Sequence, residues 1–111
     1  MENTSEVETE TMKNLRKLLK KEVKNIFYEN QTQTKESLNV MLDDYTVLSG
    51  SFNPLHEGHI KLCQAAHSVS KKNNMLFELS IHNADKGDVG EQQILDRINQ
   101  FKEAKLNLLV T

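Results

Sequence analysis

The 111 residues read as an α/β chain, in which a β-α-β-α-β run with a parallel sheet follows an N-terminal amphipathic helix. Three features carry that expectation. From residue 45 onward, short runs rich in β-formers alternate with segments of helical period. Glycine and proline punctuate the junction between the first of those strands and the helix after it. Ahead of them, a lysine-faced stretch repeats its apolar residues at three- and four-residue spacing.

Residues 1–11 are rich in Glu and Thr, and an acidic disordered tail is expected there. Residues 12–29 place Leu15, Leu18, Leu19, Val23, Ile26 and Phe27 on one helical stripe, with Lys13, Lys17, Lys20, Lys21 and Lys24 opposite. Such a helix docks its apolar stripe on its own domain or on a partner. Its charge pattern also fits a membrane-surface helix. Residues 30–44 open with a polar stretch, Asn30 to Ser37, and read as a linker. Residues 45–49 form the first strand, which ends at Gly50, and residues 59–70 the helix that follows. Residues 75–81 are the second strand, 82–90 a loop, 91–104 the next helix and 106–110 the last strand. The units are then a tail at 1–11, a helix at 12–29, a linker at 30–44 and an α/β unit at 45–111.

Composition excludes several classes. The net charge of -2 gives no global field for nucleic acid, and the basic helix has no interleaved aromatics for stacking on bases. No apolar run approaches the roughly 18 residues of a membrane span. The acidic start does not suit a secretory signal, and a single cysteine excludes an internal disulfide. A reducing compartment, the cytoplasm, is the expectation.

The chemistry concentrates at the first strand–helix turn, Gly50-Ser51-Phe52-Asn53-Pro54-Leu55-His56-Glu57-Gly58-His59. Gly50 lets backbone approach a ligand closely, and Pro54 stops the strand. Gly58 lies at the start of the helix, where unpaired N–H groups and the positive dipole end favour an anion. His56 and His59, three apart, can face one anion and donate imidazole N–H groups to phosphate oxygens.

This run resembles the signature of the HxGH nucleotidyltransferase superfamily, which includes nicotinamide and nicotinate mononucleotide adenylyltransferases, pantetheine phosphate adenylyltransferases and cytidylyltransferases. The resemblance covers residues 45–111, the N-terminal half of that domain, and implies a truncated Rossmann-like fold. It implies that AMP or CMP passes from ATP or CTP, with Mg²⁺, to a small phosphorylated acceptor, releasing pyrophosphate. His56 and His59 would stabilise the phosphates, and Gly50, Ser51, Phe52, Asn53 and Gly58 would form the cradle. Lys86 and Arg97 sit where family members often bring a basic residue to the substrate; a solvated Lys and a surface Arg are the plainer readings. The family's later arginine motif does not occur in these residues. The alternative is an inactive relative that serves as a nucleotide-binding or structural subunit.

A zinc site at His59, Cys63 and His67 has helical spacing, but Cys63 shares its stripe with Leu62 and Ala66 and packs as a small hydrophobe. No metal site is assigned. In the sheet order third-second-first, strand 45–49 is left at an edge. Open strand edges pair with what is available, so self-association or a protein partner along that strand is expected.

Overall fold

A computed structural model of the chain describes residues 2–29, 36–81 and 90–111. The elements in order are α1 (Glu2–Leu19), β1 (Ile26–Tyr28), β2 (Glu36–Leu38), β3 (Tyr45–Gly50), α2 (Glu57–Val69), β4 (Asn74–Leu79), α3 (Glu91–Ala104) and β5 (Leu108–Val110). The five strands form one sheet in the order β2-β1-β5-β4-β3.

The fold is α/β, but the sheet is mixed rather than parallel. Strands β3, β4 and β5 run parallel, with Leu48 beside Phe77 and Phe77 beside Leu108. Strand β1 pairs antiparallel with both β5 and β2. The two additional strands correct the reading of residues 12–44. Ile26 and Phe27 belong to β1, not to the helix, and Glu36–Leu38 form a strand inside the expected linker. Part of that linker, residues 30–35, lies outside the described residues.

The helix also begins earlier and ends sooner than its apolar stripe suggests. It takes in residues 2–11 of the expected tail. It ends at Leu19 through a left-handed residue, Lys21 (φ 64°). Lys21 N–H donates to Leu18 C=O at 3.0 Å, and Glu22 N–H donates to Lys17 C=O at 2.8 Å. That is a Schellman closure with lysine where glycine is usual.

Alternation along the strands puts Leu48, Phe77, Leu79, Leu108 and Val110 on one face and Val47, Ser49, Leu76, Glu78 and Leu109 on the other. All three helices lie over the first face. Thr46, on that face, bonds His67 and Ser70 around the end of α2. Phe101 of α3 packs on Phe77, and Lys102 sits over the Tyr28 ring. From α1, Thr11 and Asn14 donate to the Glu36 carboxylate at 2.6 and 2.7 Å. Arg16 pairs with Glu91 of α3 at 3.1 Å. The core is an aromatic triad of Phe52, Phe77 and Phe101, with centroids 5.2 to 5.6 Å apart, extended by Cys63, Ile94, Ile98, Leu15 and Leu18.

Candidate functional site

The turn between β3 and α2 is built on a buried phenylalanine. Phe52 adopts φ 48°, a region costly to a bulky residue, and its ring drops into the core. It takes this path because Phe77 and Phe101 receive the ring edge-on. Gly50 leaves room for it: a Cβ there would stand 3.1 Å from the Phe52 ring, a tight contact. The Asn53–Pro54 bond is cis. The turn is fastened to α3 where Leu55 N–H donates to the Gln100 side-chain oxygen at 2.8 Å.

From that turn the chain enters α2 through a capping box made of two histidines. His56 is the N-cap, and its Nδ1 accepts from Gly58 N–H at 3.1 Å. His59, three residues on, accepts from His56 N–H through its own Nδ1, also at 3.1 Å. The arrangement is that of Ser-x-x-Glu, with imidazole nitrogens in place of hydroxyl and carboxylate. The rings stack with centroids 3.9 Å apart, and the Phe52 edge meets His59 at 4.9 Å. Gly58 permits the stack, since a Cβ there would lie 2.9 Å from His56 Cε1.

This geometry fixes the chemistry of both rings. With each Nδ1 occupied as an acceptor, each neutral ring carries its proton on Nε2. Two Nε2–H donors therefore stand together at the positive end of a 13-residue helix. Desolvation, and then the neighbouring His56, hold His59 below the usual histidine range, so it remains a neutral donor at physiological pH.

The other expected site residues are placed unevenly. Gly50 and Ser51 border a cleft of about 330 Å³ with Ser49, Glu78 and Ser80, at the carboxyl ends of β3 and β4. Phe52 is buried, which leaves only its backbone to a ligand. Asn53 is exposed on the turn, and Gly58 is the residue whose N–H His56 caps. Arg97 lies on α3, and no described contact joins it to the histidines. Lys86 lies outside the described residues. Cys63 is buried, which pushes its thiol up and leaves it an inert core residue. Among the described residues no three His, Cys, Asp or Glu converge on a metal position.

Glu78 was not anticipated from the sequence. Its carboxylate accepts from Ser49 Oγ of β3 and from Oγ1 of Thr111, the residue after β5. The signal was present: Glu78 and Ser80 alternate with Phe77, Leu79 and Ile81, marking a polar side to β4's upper end. Gln100, which braces the turn, gave no such signal. Comparison of the chain with protein-family models, with characterised proteins and with solved structures returned no match.

Proposed function

We propose that this chain binds a nucleoside triphosphate, ATP or CTP, with its phosphates against His56 and His59, and transfers AMP or CMP to a small phosphorylated acceptor. The parallel β3-β4-β5 unit is read as the first half of a Rossmann-like nucleotidyltransferase fold working in the cytoplasm. The observation that carries the reading is the paired Nε2–H donors at the N-terminus of α2, each fixed by a backbone N–H on the other ring nitrogen. Two preorganised donors and a helix dipole suit a polyanion better than a neutral ligand.

In the reaction, an acceptor phosphate oxygen attacks the α-phosphorus. The bond to the β-bridging oxygen breaks, and its electron pair leaves with pyrophosphate. His56 and His59 would donate to the oxygens on which that charge collects, without forming a covalent intermediate. The Mg²⁺ that the resemblance implies would be held mainly by the triphosphate's own oxygens.

A second reading, nucleotide binding without turnover, has one observation in its favour. The chain's arginines are Arg16 and Arg97. Arg16 is engaged by Glu91, and the cleft beside the cradle presents the Glu78 carboxylate. Titration calorimetry with MgATP, MgCTP and AMP, alongside a pyrophosphate-release assay, separates the possibilities. Triphosphate should bind more tightly than monophosphate, and His59→Ala should weaken it by about 1–3 kcal/mol, the worth of a hydrogen bond to a charged group. Equal affinity for ATP and AMP, unchanged in the variant, sinks the cradle. Binding without pyrophosphate release leaves the second reading.

A further inference from the structure

We propose that two copies of this chain pair through the outer edge of β3 and the adjoining flank of α2, forming a two-fold dimer with a continuous sheet. The first observation is the edge itself. β3 ends the sheet, and among the described residues no strand pairs with its outer side. Its residues, Tyr45 to Gly50, include no charge and no proline, the devices that ordinarily blunt an exposed edge.

The second, independent observation is on α2. Cys63 faces the sheet, and His67, bonded to Thr46 beneath the helix, lines a cleft with Met75, Phe77 and Leu106 on the β4–β5 side. On the other side of Cys63, at spacings of four and three, stand Leu62, Ala66 and Val69. Leu62 is 57% exposed and Val69 82% exposed. The opposite flank is polar, with Lys61, Gln64 and Ser68 exposed. The apolar flank thus lies on the side of the open edge, and strand and flank form one surface.

A second copy is the occupant that this surface fits. An open strand edge is satisfied by another strand, and an isologous pairing brings the same strand in antiparallel. Side chains opposite each other must share a face, and centring the axis on Val47 meets that condition. Tyr45 then opposes Ser49, Thr46 opposes Leu48, and no charges meet. Gly50 stays outside the ladder, free for the turn into α2. The half-exposed Val47 would be covered by its own counterpart. Across the axis, Ala66 lets the helices approach, with Leu62 and Val69 packing around it. A 13-residue helix and a six-residue strand are each roughly 20 Å long. The pair would bury roughly 1,000–1,200 Å² in total, the lower end of specific interfaces. An interface of that size suits a weak, reversible dimer, and the concentration range to search is the micromolar one.

The test is sedimentation equilibrium of the full chain across that range, with a disulfide-trapping pair. Wild type should approach twice 12.8 kDa. Val69→Glu, at an exposed helical position, should raise the dissociation constant at least tenfold through like-charge repulsion. In Val47→Cys the two thiols face each other with Cα atoms about 4.5–5.5 Å apart, within disulfide range. It should form a cross-linked dimer under mild oxidation, while Lys61→Cys on the polar flank does not. Cys63 is buried and does not compete. A mass that stays at 12.8 kDa, a Val69→Glu variant that dimerises as well as wild type, or equal trapping at both positions overturns the proposal.

Discussion

At the scale of single residues, the site rests on which nitrogen each histidine leaves free. Gly58→Ala tests this without replacing either histidine. Its new Cβ would meet His56 Cε1 at 2.9 Å and displace the ring from the cap. Losing the cap costs about 0.5–2 kcal/mol, while alanine in place of glycine returns up to about 1 kcal/mol in a helix. Stability should therefore change little, whereas triphosphate affinity should fall as far as in His56→Ala. Calorimetry with thermal melts of both variants checks this, and unchanged affinity would remove His56 from the cradle. A pH dependence follows from His59, whose folded value lies below its ordinary 6.5. The folded state then binds a proton less readily than the unfolded chain. His59's contribution is complete above pH 6.5 and is lost as pH falls through that value toward the lower folded one. Protonation on Nδ1 also removes the acceptor for His56 N–H. The melting temperature of wild type should fall between pH 7 and 5 more steeply than that of His59→Gln. The turn between β3 and α2 was legible in the sequence because glycine, proline and histidine punctuate it. The mutual capping was not, since no propensity scale places histidine at both ends of a capping box.

At the scale of elements, legibility followed the strength of the local signal. β3, α2, β4, α3 and β5 were readable because period and punctuation agree over residues 45–111. The N-terminal part departs from its sequence reading at three points: residues 2–11 belong to α1, Ile26 and Phe27 to β1, and Glu36–Leu38 form β2. Ile26 and Phe27 sit at helical spacing from Val23, and a three-residue apolar run cannot by itself distinguish strand from helix. The break between them is made by Lys21 in a left-handed conformation, which glycine would have announced. Lys21→Gly should therefore stabilise the chain by about 1 kcal/mol, the cost of that conformation for a residue with a Cβ. Glu36 was hidden in polar sequence, yet its carboxylate gathers Thr11 and Asn14 from α1, both nearly fully buried. Burial, and then the nearby Glu36 charge, push the Tyr28 phenol far up, so its buried hydroxyl stays protonated. Glu36→Ala should cost about 1–3 kcal/mol by leaving two buried donors without their acceptor, while Glu36→Gln should cost less. Urea melts would measure both; a neutral Glu36→Ala would show that α1 is held without this carboxylate, by its Leu15 and Leu18 packing and the Arg16–Glu91 pair.

At the scale of the whole molecule, the turn proposed as the cradle and the core share Phe52. Its ring links the turn to Phe77 of β4 and Phe101 of α3, and Gln100 holds the same turn by its backbone. A ligand that fixes the turn acts on three elements at once. It should therefore stabilise the global fold rather than quiet a surface loop. A ligand at one hundred times its dissociation constant adds about 2.7 kcal/mol to the folded state. For a chain of this size each kcal/mol is worth about 4–8 °C, so saturating MgATP should raise the melting temperature by roughly 10 °C or more. AMP at the same concentration should raise it far less if the two Nε2–H groups address distal phosphates as proposed, because AMP lacks them. Hydrogen exchange distinguishes this coupling from a local effect. Slowed exchange should extend from residues 51–59 into β4 and α3, through Phe77 and Phe101. Protection confined to the turn would mean that Phe52 only anchors the loop, whereas no rise in melting temperature would mean that the folded chain does not bind the triphosphate. In Phe52→Leu, which keeps an apolar residue but shortens its reach to Phe101, the triphosphate-induced rise should shrink in proportion to the lost affinity.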